Sequence, residues 1–147
     1  MAEKPHPALA RLQPLIGTWV LTGRTLDSQV DNIAGRVTIE WLPGGIFMLQ
    51  RGEISMPSFG MSVHSLEILG YDPEADTFPS TVYSDLGGTP AAYCWQVRGN
   101  TVMHWTKGSR YTGTCSEDGT TLAGGWRPEG EEAEPGGAYD ATMIRVP

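Results

Sequence analysis

What most constrains this chain is where its glycines and prolines fall. There are 19 Gly and 11 Pro in 147 residues. From Gly17 onward they stand, with Asn and Asp, as punctuation between short runs rich in β-formers. Segments of that length suit strands joined by turns and are too short for helices in series. The length fits one domain with a core of its own, needing neither metal nor disulfide staples. With 39% hydrophobic and 18% charged residues the chain is too apolar and too weakly charged for disorder. No apolar run approaches the ~18 residues of a membrane span. Met1–Pro14 lacks the apolar centre of a signal peptide, so the expected location is the cytoplasm, with no membrane partner.

The spacing of Leu9, Leu12 and Leu15 or Ile16 predicts one short helix over Pro7–Leu15, in an arm of residues 1–16. A single domain of residues 17–147 follows. Its expected strands are Gly17–Arg24, Gly35–Trp41, Ile46–Gly52, Met61–Tyr71, Thr77–Ser84, Ala91–Val97, Thr101–Thr106, Ser109–Ser116, Thr120–Arg127 and Tyr139–Val146. Val37, Ile39 and Trp41 alternate with Arg36, Thr38 and Glu40. If Leu42 pairs with Gly45, Ile46, Met48 and Gln50 join the apolar, inward face. Gly99-Asn100 is a tight-turn signal. It puts Tyr93, Trp95, Val97, Val102 and His104 on one face. About ten antiparallel strands in series leave two open edges unless the sheet closes. The expected fold is therefore all-β: an antiparallel up-and-down β-barrel with a short N-terminal helix. A barrel of that strand number tends to enclose a ligand cavity.

Ten Lys+Arg against 17 Asp+Glu give a net charge of −7. Such a surface repels phosphate backbones, so no nucleic-acid partner is expected. Four of the acids, Glu129, Glu131, Glu132 and Glu134, sit in Pro128–Gly137, which reads as a solvated loop. Cys94 and Cys115 form no metal-type pair, and no metal site is expected. There is no nucleophile elbow, phosphate loop or dinucleotide fingerprint. Trp41, Met48, Tyr93, Trp95 and Trp105 could line a pocket for a flat or fatty molecule. His104, and less strongly His64, are the polar groups expected to orient such a ligand. Glu40, Arg51, Glu53 and Glu67 read as surface charges, unless a one-residue slip turns them inward.

Four strings carry a family likeness: Leu15-Ile16-Gly17-Thr18-Trp19, Ile39-Glu40-Trp41-Leu42-Pro43-Gly44-Gly45, Gly70-Tyr71-Asp72-Pro73 and Gly124-Gly125-Trp126-Arg127-Pro128. With them the chain resembles the calycin superfamily of lipocalins, fatty-acid-binding proteins and nitrobindin-type haem barrels. It is closer still to a bacterial calycin-like family of unassigned activity. The resemblance implies that Trp19 lies across the barrel's floor beneath Arg145 of the last strand, a structural signature. Nitrobindin-type barrels hold haem through a histidine near the C-terminus. Tyr139–Pro147 contains no His, so neither haem nor another cofactor is expected. Together these readings point to a protein that binds a small hydrophobic molecule within its barrel. One alternative is an enzyme on the same barrel, using a His/carboxylate acid–base pair. Another is a structural or interaction protein with a filled barrel, dimerising through a sheet face. An enclosed space of ~300 Å³ or more would favour binding. A buried imidazole–carboxylate pair would favour catalysis.

Overall fold

The computed structural model describes residues 3–57, 60–131 and 138–147. Pro7–Leu15 is a 3₁₀ helix. Leu9, Leu12 and Leu15 recur every third residue, the repeat of a 3₁₀ turn, so all three fall on one face and are buried. Pro14 sits inside the helix and His6 caps it, Nδ1 accepting from Ala8 N at 3.0 Å.

Ten strands follow: β1 (Gly17–Thr25), β2 (Ile33–Trp41), β3 (Met48–Met56), β4 (Met61–Leu69), β5 (Phe78–Ser84), β6 (Gly87–Arg98), β7 (Thr101–Thr106), β8 (Ser109–Cys115), β9 (Thr121–Pro128) and β10 (Tyr139–Arg145). Each pairs antiparallel with the next, and β10 closes on β1 with Trp19 opposite Arg145. Closure gives every strand two hydrogen-bonded neighbours and leaves no edge. This is the all-β, up-and-down barrel expected from the turn pattern. The β2–β3 register differs from expectation, since Trp41 pairs with Met48. The offset is even, so the inward face is unchanged. Among the described residues, no helix is long and apolar enough to cross a membrane.

The barrel has two unlike halves. At the end where β1 begins, the 3₁₀ helix lies across the opening, and Leu12, Leu15, Trp19, Met48, Leu69 and Phe78 are buried there almost completely. Trp19 Nε1 donates to the Leu15 carbonyl at 3.0 Å. The Arg145 guanidinium lies 4.3 Å from the Trp19 ring centre. It donates to the Ile16 and Pro14 carbonyls and, through Nε, to Gly119 O at 3.0 Å. One residue thus ties the last strand, the first strand and the entry helix together. Arg11 and Tyr71 both reach Asp76 at 2.7 Å, fastening the helix to the β4–β5 turn. Neighbouring strands approach closely at β8–β9, where Gly113 pairs with Gly124. A Cβ on Gly124 would lie 2.6 Å from Gly113 Cα and closer still to the Thr112 carbonyl. The string Gly124-Gly125-Trp126 is a close-packed strand.

Candidate functional site

Alternation along the strands decides which polar groups enter the other half. On β4 it sends Val63, Ser65, Glu67 and Leu69 inward and His64, Leu66 and Ile68 outward. On β6 and β7 the Gly99-Asn100 turn sets Trp95 opposite His104. Glu67, Trp95, His104 and Ser80 of β5 are all buried, and they meet.

Glu67 is the hub. Its Oε2 accepts from Ser80 Oγ at 2.6 Å and Trp95 Nε1 at 2.7 Å, with His104 Nε2 at 3.1 Å. Gln50 Nε2 lies 3.5 Å from Oε1. Burial pushes the Glu67 carboxyl up. The His104 hydrogen bond and charge, with the Ser80 and Trp95 hydrogen bonds, outweigh it and hold the group below its ordinary value. An ionised carboxylate only accepts, so His104 must carry a hydrogen on Nε2. The His104 ring stacks on Trp95 at 4.1 Å, with Tyr93 and Trp126 each 5.0 Å away. Its Nδ1 has no hydrogen-bond partner among the described residues.

Above this network lies a cavity of about 190 Å³. Leu21, Val37, Ile54 and Val82 give it aliphatic walls, and Tyr93, Tyr111, Trp126 and Tyr139 give it aromatic ones. Burial raises all three tyrosines, Tyr139 to about 12, so they stand as neutral phenols at neutral pH. Larger hollows, such as the one bounded by Arg110, Arg127 and Glu129, are grooves on the outer surface. Among the described residues no cluster of three His, Cys, Asp or Glu is placed to hold a metal.

The expected site residues divide. Tyr93, Trp95 and His104 line the cavity. Trp41 and Met48 belong to the plugged half: Trp41 Nε1 donates to Gln13 Oε1 at 2.9 Å, and Met48 is fully buried opposite Leu69. His64 is outside the barrel, between Asp85 (2.8 Å) and Glu53 (3.0 Å), so it cannot meet His104. Trp105 also faces outward, beneath the Arg110 guanidinium at 4.9 Å. Glu40 and Arg51 pair on the surface at 3.5 Å, as expected, and Glu53 is on the surface too. Glu67 is the correction, because three donors inside the barrel compensate its burial. Ser80, Tyr111, Trp126 and Tyr139 escaped the sequence reading, and Gln50 was placed on the inward face but not read as part of a site. Each lies at an inward position by strand alternation, and that parity was the available signal. Of the acidic stretch Pro128–Gly137, residues 132–137 lie outside the described residues.

No curated protein matches this chain. Among solved structures, Rv2717c from M. tuberculosis superposes with a TM-score of 0.63 at 12% identity, covering 98% of this chain and 100% of that one. At that identity the likeness is one of fold. The family described as Protein of unknown function (DUF1579) matches residues 4–127. That span runs from ahead of the entry helix through β9 and takes in Glu67, Trp95 and His104, so the chain belongs to the DUF1579 family.

Proposed function

We propose that the protein binds a small, largely apolar molecule inside the barrel, with His104 orienting it. One observation carries the reading: a cavity of about 190 Å³ with aromatic walls ends on an imidazole nitrogen that no described residue hydrogen-bonds. A ring-sized ligand losing about 150 Å² of apolar surface gains roughly 4 kcal/mol, before the cost of association. At about 190 Å³ the space falls short of the ~300 Å³ taken above as favouring binding, so the reading is confined to a ligand smaller than a drug-sized one. Two free thiols, Cys94 and Cys115, support a reducing, cytoplasmic setting.

Native mass spectrometry of protein purified from its own host tests this. The wild type should carry a small-molecule adduct that Ala141→Phe, which fills the cavity, does not. No adduct, and no thermal shift with any compound of one or two rings, would overturn the reading.

A second reading is favoured by the buried Glu67–His104 pair itself. A carboxylate that fixes an imidazole's orientation is how acid–base groups are positioned. On this reading His104 exchanges a proton with the occupant through Nδ1, and Glu67 is a positioning residue. Turnover that survives His104→Phe would exclude it.

A further inference from the structure

The chemistry of the cavity narrows what it holds. Glu67 takes the Nε2 hydrogen of His104 at 3.1 Å. In its neutral form the ring is thereby fixed in one tautomer, and Nδ1, which no described residue hydrogen-bonds, is an acceptor. A ligand satisfies that atom by donating a hydrogen to it. The described lining contains one carboxylate, Glu67, and no Lys or Arg. A ligand carboxylate would bring a second negative charge into the same low-dielectric space, with no Lys or Arg to meet it and His104 already bonded to Glu67. An ammonium fares little better. Oε2 of Glu67 already accepts three donors, and Gln50 lies against Oε1.

Shape gives the second restriction. An apolar cavity of ~150 Å³ takes up a molecule the size of benzene. At about 190 Å³ this one suits one or two rings. The rings of His104, Tyr93 and Trp126 lie within 6.2 Å of one another and offer flat faces. The hydroxyls of Tyr93, Tyr111 and Tyr139 have no hydrogen-bond partner among the described residues. They can donate to the lone pairs of a ligand oxygen.

We propose that the occupant is an uncharged, planar molecule of one or two rings whose aromatic or enolic hydroxyl donates to Nδ1 of His104. The proposal rests on the binding reading above and adds the ligand's chemistry. It selects phenol-like molecules over hydrocarbons of the same shape, over carboxylates and over amines.

Calorimetric titration of the full chain with four matched probes tests it: p-cresol, toluene, 4-methylbenzoate and 4-methylbenzylamine. p-Cresol should bind about tenfold more tightly than toluene, the value of one net hydrogen bond. The two charged probes should bind more weakly than toluene. In His104→Phe, p-cresol should fall to the level of toluene while toluene still binds. Should that variant not fold, the ¹⁵N resonance of His104 Nδ1 in the wild type decides. It should move on adding p-cresol and stay in place with toluene. Equal binding of p-cresol and toluene would overturn the hydroxyl assignment and leave the binding reading intact. Preference for the carboxylate or the amine would also overturn it. Failure of all four probes to bind would overturn both.

Discussion

Removing the Glu67 carboxylate is the most informative single perturbation. Glu67→Ala deprives Ser80 Oγ, Trp95 Nε1 and His104 Nε2 of their shared acceptor. Each buried donor left unsatisfied costs about 1–3 kcal/mol. Water entering from the cavity recovers part of this, leaving a loss of about 3–5 kcal/mol, the range for a broken buried pair. Domains of this size hold roughly 5–15 kcal/mol in total, so the variant should fold but be fragile. At about 2–4 °C per kcal/mol its melting point should fall by on the order of 10 °C. Glu67→Gln keeps an oxygen for Ser80, Trp95 and His104 and loses the charge and the second acceptor oxygen, the one beside Gln50, for about 1–2 kcal/mol. The pH dependence has a definite sign. The folded Glu67 carboxyl lies below its ordinary value of 4.5. Its extra stability is therefore fully present above the unfolded value and is lost as pH falls through the folded one. The gap between wild type and Glu67→Gln should accordingly narrow on acidification below about pH 4.5. Urea unfolding followed by tryptophan fluorescence, from pH 7 downward, measures both. A loss under about 1 kcal/mol for the alanine variant at pH 7, or a gap that ignores pH, would refute an ionised carboxylate held by three donors.

Other substitutions probe the frame around the cavity. Trp19→Ala should cost about 3–5 kcal/mol and Arg145→Ala should also lower the melting point, both without altering ligand preference; lost binding at an unchanged melting point would contradict this. Gly124→Ala should destabilise by about 1–3 kcal/mol or more in chemical denaturation, because backbone on β8 cannot yield to the new methyl. On the outer wall His64 is raised above 6.5 by its hydrogen bonds to Asp85 and then Glu53. Its contribution is present below the unfolded value and fades as pH rises through the folded one. An NMR titration of the His64 ring should give a midpoint above 6.5 that drops in Asp85→Asn and in high salt.

The strand count and closure were legible because Gly, Pro and Asx residues mark nearly every turn. The pairing of Trp95 with His104 was legible because Gly99-Asn100 leaves one register for a tight hairpin. What alternation could not settle was β4. Met61–Leu69 carries Leu66 and Ile68 on one face and Val63 and Leu69 on the other, so neither face announces itself as inner. A lone carboxylate then defaults to water, because desolvation opposes burial. Only donors brought from 13, 28 and 37 residues away reverse that preference for Glu67. His64 misled for the converse reason. A histidine among apolar neighbours suggests an interior, yet Glu53 and Asp85 at the same outer level hold it in solvent. Trp105 needs no interior either, since the Arg110 side chain covers its ring.

The division of the barrel into two halves explains how one small domain can hold an ionised group inside. The plugged half concentrates the most completely buried side chains, Leu12, Trp19, Met48, Leu69 and Phe78 among them. Arg145 and the entry helix lock it. Stability concentrated there lets the other half retain a network whose replacement by packed apolar side chains is often neutral or stabilising. Filling the cavity half with such side chains would give a sturdier barrel with no imidazole lining a cavity. The present arrangement spends stability to fix one nitrogen. A Glu67→Leu/His104→Phe/Ser80→Ala variant makes that trade measurable. It should be more stable than Glu67→Ala in urea, since only Trp95 Nε1 is then left without its acceptor, and it should lose the preference for p-cresol over toluene. A triple variant that is less stable than Glu67→Ala and still hydroxyl-selective would mean that the network serves packing and that selectivity arises elsewhere.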